Sequence, residues 1–227
     1  MADAEQVYCP AVTEAQQQVV AACHRLAAEG LLIGTAGNVS VRAGDRVAVT
    51  ATGAVLGGLT EEQVVEVDLA GRQVGGTLVP TSEVHLHLSI YEKYDVAAVV
   101  HTHAPVSTAA SISVSSIPVI HYQQLLLGGE VRVAPYATFG TPRLAERVVA
   151  ALEDRAAALM ANHGAVAIGP TLDKAVENAL LLEWLCGVYR DATLMGKPAT
   201  LTRQQQEDVI AAAIARNYGT VQGTEAE

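Results

Sequence analysis

Two histidines, His101 and His103, stand two residues apart at the end of an apolar run, 97–102 (AAVVHT), that reads as a buried strand. Side chains at i and i+2 of a strand share a face, so both imidazoles can reach one metal ion. A third ligand has to come from elsewhere. The candidate is His163, in an Asn162-His163-Gly164 turn between apolar runs at 157–161 and 165–168. Three protein ligands and one open position are what a catalytic zinc requires; with a carboxylate added, cobalt or manganese would also suit. Glu83 offers that carboxylate. It follows Thr81-Ser82 at the start of a helix expected over 82–93, where it can act as a general base or as a fourth ligand.

The chain has seven histidines, and most call for plainer readings. His85 and His87 repeat the two-residue spacing, but on a helix that spacing separates side chains by about 200°, so they should not chelate one ion. His24 and His85 read as hydrogen-bonded or exposed residues, and His87 and His121 as supporting or structural ones. For His101 and His103, polar groups at the end of a buried strand cost energy unless paired, although such pairs also arise by chance.

Three turns offer groups that could hold an anion. Gly34-Thr-Ala-Gly-Asn-Val-Ser40 interleaves glycines with hydroxyl and amide side chains, and Thr52-Gly53 and Thr81-Ser82 add more. Backbone N–H groups in such turns, and at the helix start after Ser82, favour negative charge. Each turn alone reads better as an ordinary turn or cap. None is a Walker loop or a dinucleotide fingerprint. No lysine or arginine lies inside them, so neutral donors aided by a metal would do the binding.

These groups have to be positioned by α/β structure. Helices are expected at 13–29, with Thr13 as N-cap and Gly30 as stop, then at 82–93, from Pro105, from Thr141-Pro142 to about 153, at 172–193 and at 203–217. Strands are expected at 39–42, 46–50, 97–102, 118–121, 131–134, 157–161 and 165–168, with a hairpin over 64–68 and 72–74. Thr60 and Gln63 have capping-box spacing. The pattern implies one domain over 1–227, its core about 13–218, with a central mixed or antiparallel sheet flanked by helices.

Composition excludes several classes. With 227 residues, 50% hydrophobic and 17% charged, the chain can bury a sizeable core and lacks the signature of disorder. A net charge of −10 without a basic patch argues against a nucleic-acid partner. The longest stretch free of Asp, Glu, Lys and Arg, Val96–Gly129, is interrupted by His, Pro, Gln and Ser, unlike the roughly twenty apolar residues of a membrane span. The N-terminus shows no signal-peptide pattern. Three widely spaced cysteines suit a reduced, cytoplasmic setting.

Taken together, Gly34–Ser40, Thr52-Gly53, Pro80-Thr-Ser-Glu83, His101-Thr-His103 and Asn162-His163-Gly164 resemble, in order, the motifs of the class II aldolase/adducin family. Ile117-Pro-Val-Ile-His-Tyr122 and Ala134-Pro-Tyr-Ala-Thr-Phe-Gly-Thr141 point to its L-fuculose-1-phosphate aldolase branch, and the similarity spans roughly residues 13 to 218. The resemblance implies a mostly antiparallel sheet, one zinc ion per subunit on His101, His103 and His163, and Glu83 as the catalytic carboxylate. It implies phosphate binding by Asn38, Thr52, Gly53, Thr81 and Ser82. Tyr122 would serve a neighbouring subunit's site, Tyr218 would close over the active site, and Phe139 would lie on the aldehyde side of a homotetramer. Three departures stand out: Thr81 where relatives often have Ser, Asn162 where some have His, and Gln123–Leu127 in place of an Ala-rich run.

The reaction so implied is reversible cleavage of a ketose 1-phosphate, such as L-fuculose 1-phosphate, to dihydroxyacetone phosphate and an aldehyde such as L-lactaldehyde, through a zinc-stabilised ene-diolate. The three lysines, Lys93, Lys174 and Lys197, lie outside every motif, as expected where no Schiff base forms. The same resemblance admits an L-ribulose-5-phosphate 4-epimerase, a methylthioribulose-1-phosphate dehydratase and, with less support, a non-catalytic adducin-like interaction domain.

Overall fold

The computed structural model describes residues 10–216 and 218. Helix α1 (Pro10–Ala28) leads to strands β1 (Asn38–Ala43) and β2 (Arg46–Thr50), then β3 (Val64–Asp68) and β4 (Gln73–Gly75). Helix α2 (Val84–Lys93), β5 (Ala98–Thr102) and α3 (Pro105–Ser113) follow, then β6 (Ser116–Ile117), a 3₁₀ turn (Tyr122–Leu127) and β7 (Val131–Ala134). The chain continues through α4 (Pro142–Ala151), β8 (Ala157–Met160), β9 (Gly164–Gly169), α5 (Leu172–Met195) and α6 (Arg203–Ala215).

Among the described residues the strands form one nine-stranded sheet in the order β4-β3-β2-β1-β5-β9-β8-β7-β6. Every neighbouring pair is antiparallel except β7 and β8. Both faces are covered, so the central strands are apolar on both sides, as expected of doubly covered strands. Val39, Val41, Ala98 and Val100 pack with Val19, Leu26, Leu182 and Leu185 of α1 and α5. The alternate residues Val47, Val49, Val65 and Val99 pack with Leu86 and Ile90 of α2 and Leu144 and Val148 of α4.

The antiparallel order decides where the functional groups meet. β5 is the middle strand, and its end lies beside the starts of both neighbours, with Asn38 opposite His101 and Ala165 opposite Thr102. The segments entering β1 and β9 and those leaving β2 and β5 therefore share one edge of the sheet. A bridge from Ala51 to Pro80 brings the residues before α2 to the same edge.

Two glycines let the backbone pass there. Gly37 has φ +92°, and a Cβ on it would lie 2.7 Å from the carbonyl oxygen of His101. At Gly164 a Cβ would lie 2.4 Å from the carbonyl oxygen of Thr102. The strand carrying the two histidines is thus gripped on both sides by residues without side chains.

Two local expectations need correction. α1 spans Pro10–Ala28 among the described residues, so Thr13 lies inside the helix and is not its N-cap. The strand expected at 118–121 is replaced by pairing at Ser116–Ile117. Pro118 has no N–H to continue the ladder, and the next groups bond elsewhere: Ile120 N–H donates to Gln124 Oε1 and the Val119 carbonyl accepts from Leu201. The Thr60–Gln63 capping box is present. Cys23 and Cys186 are free and buried, and burial pushes both thiols up to about 12; Cys9 lies outside the described residues.

Replacing Gly164 by alanine should force β9 away from β5 and destabilise the fold by about 1–3 kcal/mol. Gly187→Ala in α5, where a Cβ meets nothing within 4 Å, should instead stabilise by about 0.4–1 kcal/mol. Urea unfolding of the two variants checks both signs.

Candidate active site

The sheet edge and the start of α2 present two matched rows. Glu83, His87 and Tyr91 are spaced by four, which places them on one helix face. Asn38 and Ser40 are spaced by two on β1, which places them on one strand face. The rows meet in the core. Asn38 Nδ2 donates to Glu83 Oε2 at 3.1 Å, and Asn38 Oδ1 accepts from His87 Nε2 at 2.5 Å. His87 Nδ1 lies 2.6 Å from Ser40 Oγ, which lies 2.7 Å from the Tyr91 hydroxyl.

Glu83 is only 5% exposed, and the three histidines converge on it. His101 Nε2 lies 3.0 Å from Glu83 Oε2, and His163 Nε2 3.5 Å from Oε1. His103 Nε2 lies 3.0 Å from His101 Nε2. The three rings have centroids 4.7, 4.9 and 5.0 Å apart. His103 lies one residue beyond β5, yet both imidazoles turn to the same point. His101 Nδ1 donates to the Ala165 carbonyl at 2.9 Å, which fixes the tautomer and leaves Nε2 facing the cluster.

The electrostatics follow from this crowding. Burial opposes ionisation of Glu83, but the His101 charge and hydrogen bond, His163 and the Asn38 amide together hold its carboxyl well below the usual carboxylate range. Burial alone would lower His101; the adjoining carboxylate outweighs it and raises the imidazole. Burial and the His101 charge push His103 down to about 4 and also lower His163. The raised imidazole is thus the one that faces the Glu83 carboxylate, and burial lowers its two neighbours.

This donor set fits a divalent cation. One ligand atom from each of Glu83, His101, His103 and His163 lies within 4.8 Å of the others. Glu83 Oε1 is buried and, among the described residues, accepts no hydrogen bond, an omission that costs about 1–3 kcal/mol in a neutral setting and that a cation would remove.

A cavity of about 360 Å³ opens over the cluster. Glu83, His103 and His163 line it together with Asn38, Thr52, Gly53, Thr81 and Ser82. Five residues proposed from sequence for an anion therefore face one space. Asn38 differs from the others because both ends of its amide are already bound. Phe139, expected on the aldehyde side, and its neighbour Tyr136 also line the cavity and are 64% and 60% exposed. No lysine or arginine lines the cavity among the described residues.

Tyr122 and Tyr218 lie elsewhere. Their hydroxyls are 2.9 Å apart, both rings are partly exposed, and neither lines this cavity. His121 packs its ring against Trp184 and accepts from Gln123 N–H, a structural role. His24 and His85 are exposed, and His24 bonds the Leu59 carbonyl. Ser40 had figured only as the end of the Gly34–Ser40 turn and Tyr91 not at all; for Tyr91 the four-residue spacing from Glu83 through His87 was the available signal. No helix among the described residues is long and apolar enough to cross a membrane.

Comparison with known proteins agrees with this geometry. The model of the class II aldolase and adducin N-terminal domain matches residues 17–190. A 5-methylthioribulose-1-phosphate/5-deoxyribulose-1-phosphate aldolase of Rhodospirillum rubrum is 39% identical over 85% of this chain and 87% of its own. The L-fuculose phosphate aldolase of Escherichia coli is 39% identical over 86% of this chain and 91% of its own. A solved L-fuculose 1-phosphate aldolase superposes with a TM-score of 0.85 at 30% identity, covering 92% of this chain and 98% of that one. The chain belongs to the class II aldolase and adducin family and is an aldolase, a carbon–carbon lyase.

Proposed function

We propose that this enzyme cleaves a ketose 1-phosphate reversibly to dihydroxyacetone phosphate and an aldehyde, using zinc held by His101, His103 and His163. The observation that carries the reading is the free Glu83 Oε1, buried beside three converging imidazoles under a cavity walled by hydroxyls and a glycine turn. The bound cation supplies Lewis acidity, which lowers the cost of charge developing on the substrate's oxygens. Glu83 takes the proton from the hydroxymethyl carbon in the synthetic direction and returns it in cleavage. Oε2 is anchored by Asn38 and Oε1 has no donor, so Oε1 is the oxygen that moves the proton.

Thr52, Gly53, Thr81 and Ser82 would hold the phosphate through hydroxyl and backbone N–H groups, with Asn38 beside them. Thr81 has this position because its N–H donates to the Thr50 carbonyl at 3.0 Å, pinning the segment before α2 to the end of β2. Tyr136 and Phe139 give the mouth an apolar rim suited to the short apolar tail of a deoxy-ketose phosphate. L-Fuculose 1-phosphate and the substrates named for the Rhodospirillum relative are the candidates.

Tyr122 would serve a neighbouring subunit of a homotetramer, in keeping with its place outside its own chain's cavity, and Tyr218, whose hydroxyl it meets, would close over an active site. The free buried thiols of Cys23 and Cys186 are in keeping with a cytoplasmic enzyme.

Zinc binding should displace the proton shared by His101 and Glu83. Because the His101 imidazole is raised and must be neutral to ligate, affinity should fall as pH drops through the raised imidazole range, with proton release on binding. Zinc titration by calorimetry over that range checks the sign, and His103→Ala should abolish stoichiometric binding.

Metal-replete enzyme should release dihydroxyacetone phosphate from L-fuculose 1-phosphate or 5-deoxyribulose 1-phosphate, and chelation should stop it. Glu83→Ala should lower kcat by about 100-fold or more while zinc remains bound. An isomerised or dehydrated product in place of dihydroxyacetone phosphate would contradict the reaction.

A further inference from the structure

Behind Glu83 runs a line of polar groups that leads away from the cavity, from Asn38 on its lining to His87, Ser40 and Tyr91 beyond it. Asn38, Ser40, His87 and Tyr91 are each no more than 4% exposed. Their contacts form a single series: Tyr91 hydroxyl, Ser40 Oγ, His87 Nδ1, His87 Nε2, Asn38 Oδ1, Asn38 Nδ2, Glu83 Oε2. Proton placement along it has one consistent solution. Glu83 is a carboxylate and can only accept, so the Asn38 NH₂ faces it and Oδ1 faces His87. His87 Nε2 must then carry a hydrogen. A neutral ring accepts at Nδ1, so the Ser40 hydroxyl donates there and accepts from Tyr91. Reversing the amide would set Oδ1 against the carboxylate and an NH₂ against an N–H.

His87 enters because β1 and α2 each turn a periodic row of polar residues to a shared interface. Burying four polar side chains there, in place of apolar ones, stabilises nothing by itself. The series ends on the one carboxylate with a chemical task, and its last link leaves Glu83 Oε1 without a donor. With a cation on the imidazoles, His101 Nε2 would no longer donate to Glu83, and Asn38 would be the remaining donor to Oε2.

We propose that His87 is a positioning residue for Glu83: held as the Nε2–H tautomer by Ser40 and Tyr91, it locks the Asn38 amide with its NH₂ on Oε2 and so keeps Oε1 turned to the substrate. The inference rests on the aldolase reading only for the identity of the proton that Glu83 moves. It assigns work to His87, Ser40 and Tyr91, none of which touches the substrate cavity.

The test pairs His87→Phe, which removes both ring nitrogens, with His87→Gln, whose amide can again donate towards Asn38. The chemical readout is exchange of the hydroxymethyl hydrogen of dihydroxyacetone phosphate with deuterated water, which isolates the Glu83 step from the aldehyde. The Phe variant should exchange about 10- to 100-fold more slowly, with zinc content unchanged and KM within about threefold; the Gln variant should recover most of the rate. Nitrogen NMR of the parent, metal-free and zinc-loaded, should show His87 protonated at Nε2 only, and Ser40→Ala should disturb that tautomer.

Exchange in the Phe variant within about twofold of the parent would overturn the proposal. Equal loss in Phe and Gln variants that tracks lost zinc or a lowered melting temperature would also overturn it, as would an Nδ1–H tautomer in the parent. If the Phe variant fails to fold, Ser40→Ala and the parent's tautomer decide. A parent that binds zinc yet exchanges no hydrogen sinks the aldolase reading, and the tautomer and Asn38 amide resonances still judge the positioning claim.

Discussion

A carboxylate withdrawn from water must be met by positive charge or by donors, and Glu83 is withdrawn almost completely. Most of what is distinctive in this molecule answers that demand. His101 and Asn38 meet Oε2, and His163 approaches Oε1 without bonding it. The two oxygens thereby become unequal, one fixed and one free. A general base needs this division: enough contact to hold its geometry and one lone pair left for the proton.

The fold supplies these contacts through strand order more than through any single loop. Antiparallel neighbours bring the starts of β1 and β9 beside the end of β5, so residues more than sixty positions apart in sequence share a few ångströms. Rigid elements carry the cluster: His101 is the penultimate residue of the central strand, Asn38 opens the next one, and Glu83 caps α2. Gly37 and Gly164 allow the close approach. Along the cavity Thr52, Gly53 and Ser82 are exposed, while Thr81 and Asn38 are buried.

The sequence made much of this legible where one physical signal acted locally. The paired histidines closing an apolar run, Glu83 after Thr81-Ser82, and the caps at Thr60 and Thr141 all appear where expected. The α1 start was misplaced because Thr13, which could cap a helix, stands inside one. At 118–121 an apolar run suggested a strand, but Pro118 ended the ladder and Gln124 took the next N–H. The line from Tyr91 to Asn38 was hidden for another reason. Each half is periodic, but their meeting depends on a pairing across 45 to 51 residues that no local pattern encodes. Tyr122 and Tyr218 entered through family resemblance alone; their hydroxyl contact spans 96 residues.

The central claim is that His101, His103 and His163 form a cation site whose geometry leaves Glu83 Oε1 free for chemistry. Anomalous diffraction at the zinc edge from zinc-loaded crystals tests it most directly. The account predicts one ion at about 2.0–2.1 Å from the Nε2 atoms of all three histidines, with the Asn38 amide still on Glu83 Oε2. An ion bound by fewer than three of these imidazoles, or a strong peak elsewhere with this cluster empty, would contradict it.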